Sequence, residues 1–218
     1  NYEFLGWSTD DVDISGNSFT MPNTPVHLVG QWKLLTSGYT VRYVWGETEI
    51  VTTEKGTATI GSELKKDAVA VSGYVLDGAG SQTITVNADA SKNVITFQYK
   101  KVLTITADDA TKPYDGAPLT KDTYKSEGLA TGDTIASVTV TGSQTVVGSS
   151  ANVPSDAKIV NCYGEDVTSS YKITYVGGTL EVTKKALTIT ADSDTKVYDA
   201  AALIKNSYTD SGLATGDS

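Results

Sequence analysis

Apolar and polar residues alternate in short runs along most of this chain, and a period of two predicts strands rather than helices. Tyr39, Val41, Tyr43 and Trp45 give one opening strand. Gln82–Val86 and Asn93–Lys100 flank a polar loop and predict a hairpin. Leu103, Ile105 and Ala107 share one strand face, and Ser137–Val140 alternates in the same way. Tyr171–Val176 and Thr179–Val182 flank Gly177-Gly178 and predict a second hairpin, because both glycines accept positive φ. Tyr2–Trp7 and Val26–Lys33 read as strands around an acidic loop. Only Ile60–Lys65 reads as a short helical turn. Thr, Val, Ser, Gly and Asp dominate these segments, so the expected fold is mainly β with little helix.

The pattern also repeats. Leu103–Asp108 returns as Leu187–Asp192, and Gly128–Asp133 returns as Gly212–Asp217, an offset of 84 residues (187 − 103). About 20 of 32 aligned positions are identical. A unit of that length is a small domain rather than a solenoid turn, and the second copy reaches only Ser218. The chain therefore reads as a piece of a longer tandem array. Within the repeat, Lys112-Pro113-Tyr114-Asp115-Gly116 is a turn, and Tyr198 recurs where Tyr114 stands, which suggests a structural role for both. Ala200 replaces Gly116, which puts the second turn in doubt if the glycine has positive φ. Residues 187–218 lack a counterpart of the Gly-Gly segment and are expected to fray or to borrow a neighbouring edge.

The net charge of −9 argues against a nucleic-acid partner, which needs clustered Lys and Arg, and against adhesion to anionic membrane. No apolar run is long enough to span a membrane. Cys162 is the single cysteine, so no internal disulfide forms, and it is expected to be a small buried or half-buried residue. The single histidine, His27, leaves little for a catalytic triad or a His-rich metal site and reads as a surface or half-buried residue. Carboxylates are plentiful but sit in turns, where solvated Asp is the ordinary case. Asp11-x-Asp13-x-Ser15-Gly16 resembles the start of a calcium loop, but Pro22 stands where an EF-hand needs a bidentate Glu. An ordinary acidic turn is favoured there, with weak calcium binding as the alternative. Trp7 and Trp32 read as core anchors in preference to sugar-stacking groups, and Tyr43, Tyr74 and Tyr99 face the same choice. No catalytic, cofactor or metal residues are assigned, and no cofactor is expected. Intramolecular Lys–Asn or Lys–Asp isopeptide bonds depend on buried geometry and are not readable from sequence.

Three resemblances organise these segments. The Gly6-Trp7 pair, the Met21-Pro22 turn and the strand ending Gln31-Trp32-Lys33 resemble the end of a Listeria–Bacteroides (internalin B-type) repeat over residues 1–35. Tyr39–Val44, Gly73-Tyr74 and Asn93–Tyr99 resemble a MucBP (mucin-binding protein) module over 38–101, with Trp45-Gly46-Glu47 departing mildly from the usual acidic-Gly turn. Tyr114-Asp115-Gly116 and Gly178–Val182 resemble the MBG/YDG modules of bacterial surface proteins, giving a complete repeat over 102–185 and a truncated one over 186–218. These resemblances imply small β-grasp-like or β-sandwich modules in an elongated tandem array. Short linkers are expected at Leu34–Gly38, Lys100–Val102 and Lys184–Ala186. They also imply a non-enzymatic, extracellular, cell-wall-attached adhesion or stalk region of a Gram-positive bacterial surface protein. The MucBP-like part would contact host mucin or glycans, and the chain would be monomeric. A purely structural spacer, or the accessory region of a larger surface enzyme, is the alternative.

Overall fold

The computed structural model describes residues 1–218, and it is built almost wholly from strands, with two short 3-10 turns and no α-helix. The chain divides into two compact units, Asn1–Lys100 and Lys101–Ser218.

The first unit contains β1 (Tyr2–Ser8), β2 (Val29–Leu34), β3 (Thr36–Trp45), β4 (Thr48–Thr59), β5 (Glu63–Asp67), β6 (Tyr74–Leu76), β7 (Ser81–Thr85) and the start of β8 (Val94–Ala107). β1 and β2 form a separate antiparallel pair with a bulge between Phe4 and Gly6. β3 runs antiparallel to β4 and parallel to the first part of β8, from Thr40↔Val94 to Val44↔Gln98. Val41 and Tyr43 of β3 face Ile95, Phe97 and Tyr99 of β8 in the buried core, because period-two alternation puts these positions on one face. Tyr74, Leu76 and Ile84, with Ala68 and Val71, pack against that cluster.

Two expectations for this unit need correction. Ile60–Lys65 holds no helical turn: Gly61, at φ +83°, reverses the chain and β5 begins at Glu63. β7 and β8 are not a hairpin either. β7 pairs antiparallel with β5, whereas β8 pairs parallel with β3, and Ala90–Lys92 forms a 3-10 turn between β7 and β8. Asn93 explains the crossover. Its buried amide accepts from Asn87 N at 2.7 Å and donates to Gly38 O and Asn87 O at 2.9 Å each and to Ser37 Oγ at 3.2 Å. That set of bonds ties the loop before β8 to the start of β3.

The second unit contains the rest of β8, then β9 (Ala110–Pro113), β10 (Tyr124–Glu127), β11 (Thr134–Thr141), β12 (Gly148–Val160), β13 (Tyr171–Val176), β14 (Gly178–Thr183), β15 (Thr188–Ala191) and β16 (Tyr208–Ser211). The Lys100–Val102 linker is thus the interior of β8, and Leu34–Gly38 falls in β2 and β3 apart from Leu35. β8 pairs antiparallel with β10 and parallel with β13, while β11, β12, β14 and β9 make another sheet in that order. Leu103, Ile105 and Ala107 from the first of these sheets, and Ala157, Ile159, Leu180 and Val182 from the second, are buried. On β12 the buried positions change from Asn152 and Pro154 to Ala157 and Ile159. The switch falls at Asp156, which takes φ +51° and supplies the extra residue of a bulge against β11.

Gly177-Gly178 is not a hairpin turn. β13 and β14 lie in different sheets, and neither glycine takes positive φ. Gly178 is needed for close approach instead: a Cβ there would stand 2.6 Å from Ala107 O and 2.7 Å from Asp108 O.

The second copy of the repeat reproduces the first half of the first copy. Tyr124↔Ala107 through Glu127↔Thr104 becomes Tyr208↔Ala191 through Ser211↔Thr188, the same register 84 residues on (208 − 124). Thr123 Oγ1 donates to Asp108 at 2.6 Å, and Ser207 Oγ donates to Asp192 at 2.6 Å. The Ala200 turn keeps its shape, at φ +61° where Gly116 has +79°. What the copy lacks is strand pairing. β15 pairs only with β16, and residues 194–197, which match β9, form no strand because no counterpart of β14 pairs with them. Ile189 is 63% exposed, whereas its equivalent Ile105 is fully buried.

Candidate binding surfaces

Three exposed surfaces are shaped enough to meet a partner. The first is a shallow groove of about 500 Å³ in residues 38–101, lined mainly by Ala68–Ser72, Tyr74–Leu76 and Tyr99. The local sequence makes this groove. Val69 and Val75 are exposed while Val71, Tyr74 and Leu76 turn toward the core, so a loop and the short β6 stand over Tyr99. Tyr99 fixes the loop by donating its hydroxyl to Val69 O at 2.6 Å, and burial pushes its phenol up from the usual value. Tyr43 stacks on Phe97 with ring centroids 5.7 Å apart, and burial likewise raises its phenol. Tyr43 and Tyr99 are therefore core residues, and Tyr74 is half-buried with its ring tilted against Trp45 at 6.3 Å.

Elsewhere in residues 38–101, Glu54 gathers Lys66 and Tyr39. Lys66 donates to Glu54, Tyr39 donates to the same carboxylate at 3.1 Å, and the Lys66 ammonium stands 4.7 Å from the Tyr39 ring centroid. The Lys66 hydrogen bond holds the Glu54 carboxyl below its usual range, and Glu54 in turn raises Lys66.

The second surface is the β1–β2 pair. Trp7 and Trp32 are exposed at 58% and 60%, which overturns the reading of these rings as core anchors. They flank Phe4 instead, at centroid distances of 5.3 and 4.8 Å. A two-stranded sheet with no covering layer leaves its aromatic face in solvent. Next to it, Asp11 accepts from His27 N at 2.7 Å, and this bond pulls the Asp11 carboxyl below the usual value. Asp11 thereby closes a turn, and no group of three or more His, Cys, Asp or Glu side chains stands close enough to hold a metal. His27 itself is exposed.

The third surface is the turn carrying Tyr198, which is 89% exposed, while Tyr114 of the preceding copy donates its hydroxyl to Asp217 Oδ1 at 3.2 Å. Lys112 pins the first turn through Asp115 at 2.6 Å, and Lys196 pins the second through Asp199 at 2.7 Å, each lowering its partner carboxyl. Cys162 lies in the turn after β12 and is exposed, not buried, because its neighbours Asn161 and Glu165 hydrogen-bond to each other and hold the turn out in solvent.

The groove and the Glu54 cluster gave no advance signal in sequence, since neither is a contiguous motif. No protein-family model matches this chain, and no curated protein sequence matches it.

Proposed function

We propose that this chain is a non-enzymatic extracellular segment of a bacterial, Gram-positive surface protein, attached to the cell wall through parts outside residues 1–218. In this reading its β-grasp-like and sandwich-like modules are strung in an elongated array. Residues 38–101 act as the adhesive module, and the repeats that follow act as a stalk. Host mucin or its glycans are the proposed ligand. The observation that carries the reading is the apolar groove over Tyr99, flanked by half-buried Tyr74, in the segment with the MucBP-like residues. Weak single contacts summed over several modules raise avidity by orders of magnitude. With a net charge of −9, contact with acidic mucin would rely on stacking and hydrogen bonds rather than on ion pairs.

The test is binding of the whole chain to immobilised mucin, with Val69→Asp and Val75→Asp as variants. Val69 and Val75 are 41% and 38% exposed at the groove, and an unchanged urea midpoint for each variant shows that the fold is kept. Binding that both variants abolish supports the adhesive reading. Binding untouched by either excludes the groove as the contact. No binding by the unmodified chain moves the function to the spacer reading, which the exact recurrence of the β8–β10 register in β15–β16 favours.

A further inference from the structure

The sequence Gly-Leu-Ala-Thr-Gly-Asp occurs at 128–133 and at 212–217, and each copy bends into the same turn, with Asp133 N donating to Ala130 O at 3.2 Å and Asp217 N donating to Ala214 O at 3.1 Å. Both loops hold a tyrosine hydroxyl, but the tyrosines come from different places. In the first copy the hydroxyl is Tyr171 of the same repeat: Ala130 N donates to its oxygen at 3.1 Å, and the hydroxyl donates to Asp133 Oδ2 at 2.5 Å. In the second copy it is Tyr114, from the Tyr-Asp-Gly turn of the preceding repeat, donating to Asp217 Oδ1.

Two further observations show that this turn and this loop meet face to face. A Cβ on Gly116 would stand 3.3 Å from Thr215 O. Ala214 is only 6% exposed although β15 and β16 are exposed throughout, whereas Ala130, in the copy that has both halves, is half-buried. The Asp217 carboxylate also raises the Tyr114 phenol above its usual value, as a nearby negative charge must.

We propose that the Tyr-Asp turn of one repeat and the Gly-Leu-Ala-Thr-Gly-Asp loop of the next are the two faces of a head-to-tail joint, so that each face is a docking site for another copy of the repeat. Asp133 takes the tyrosine of its own repeat and Asp217 takes the tyrosine of the repeat before, and a carboxylate with two oxygens has the capacity to accept both. Tyr198 and Val197, 89% and 91% exposed, present the unoccupied turn face to a further copy. That turn keeps the shape of the occupied one despite the loss of glycine, since Ala200 takes φ +61° and the Lys196–Asp199 clamp repeats Lys112–Asp115. The joint rests on the repeat alone and not on any mucin contact, so failure of either proposal leaves the other standing.

Hydrogen exchange of the whole chain tests it through two chemically identical substitutions. Tyr114→Phe removes the hydroxyl from the occupied joint, and Tyr198→Phe removes it from the open one. Loss of one exposed hydrogen bond is expected to speed amide exchange over 212–217 by about two- to fivefold in Tyr114→Phe, with no change in Tyr198→Phe. Equal exchange in both variants overturns the joint. In the same chain extended by a copy of residues 135–185, which completes the second repeat, and then by a copy of residues 186–218, Tyr198→Phe is expected to acquire the effect of Tyr114→Phe on the loop of the added copy. An effect confined to Tyr114 in that longer chain would overturn the repeat-to-repeat reading.

Discussion

Asn93→Ala should unfold the first unit at much lower denaturant while leaving the second untouched. Asn93 is fully buried, and its side-chain amide makes one accepted and three donated hydrogen bonds. Alanine removes the acceptor of the Asn87 N–H and the donor shared by Gly38 O, Asn87 O and Ser37 Oγ. A buried group left without a partner costs about 1–3 kcal/mol. Asn87 is exposed and its N–H can turn to water, so the cost falls mainly on the lost bonds to buried Ser37 and half-buried Gly38 and on the cavity left at Asn93, together about 3 kcal/mol. With a urea dependence of about 1.5 kcal/mol per M for a unit of this size, the midpoint falls by about 2 M. Trp45, packed against Tyr74, reads the transition of the first unit by fluorescence, with Trp7 and Trp32 already exposed and contributing a nearly constant background. Amide exchange of β12 serves as the internal control for the second. A midpoint shift below about 0.5 M, with a native spectrum in water, would refute the claim that these bonds hold the crossover between β7 and β8.

Other perturbations test the remaining contacts. Gly178→Ala forces a Cβ against two carbonyl oxygens that cannot give way, and it should destabilise the second unit by about 1–3 kcal/mol, read by thermal unfolding of the whole chain. Ala200→Gly relieves a left-handed alanine, which costs about 1–2 kcal/mol, against the extra chain entropy of glycine of about 0.5–1 kcal/mol. Slower exchange over 196–202 is expected, and faster exchange would show the turn to be unstrained. Glu54→Gln tests the Lys66 cluster through pH. The folded Glu54 is held below its usual 4.5, so its contribution is present above that value and is lost as pH falls through the folded value. Lys66 is raised above its usual 10.5, so its contribution is present below 10.5 and is lost only at higher pH. The stability difference between the unmodified chain and Glu54→Gln should therefore be flat from about pH 6 to 9 and shrink below about pH 4.5. A difference that stays constant from pH 6 down through acid unfolding would show that the glutamine packs badly rather than that a charge was lost.

The strands were legible and their partners were not. Alternation placed Val41, Tyr43, Leu103 and Ile105 on inward faces correctly, because period two is a property of each strand alone. The two expected hairpins failed because β8 and β13 pair in parallel with strands far away in sequence, and nothing between two neighbouring strands reveals that. Gly177-Gly178 looked like a turn because glycine serves two purposes, and only the packed backbone shows that close approach is the one required. Asn93 reads only as the first residue of a strand until four hydrogen-bonding groups surround its amide. The tryptophans misled in the opposite way: their size argued for burial, but a lone pair of strands has no second layer to bury them under. Among the candidate surfaces, the Tyr114 and Tyr198 turns were visible as a repeat, whereas the groove over Tyr99 draws on separated segments and left no local mark.

The parallel pairing of β9 with β14 has a consequence for synthesis on the ribosome. Partners about 70 residues apart, such as Ala110 and Leu180, cannot meet until the later strand has emerged. At about 5–20 residues per second, the roughly 50 residues between Asp133 and Thr183 take about 3–10 s to appear. During that interval the nascent second unit exposes the edge of β8 that β13 will cover, beside Leu103 and Ile105. An unpaired strand edge is where swapped pairing begins, so the interval sets how long the second unit stays open to it.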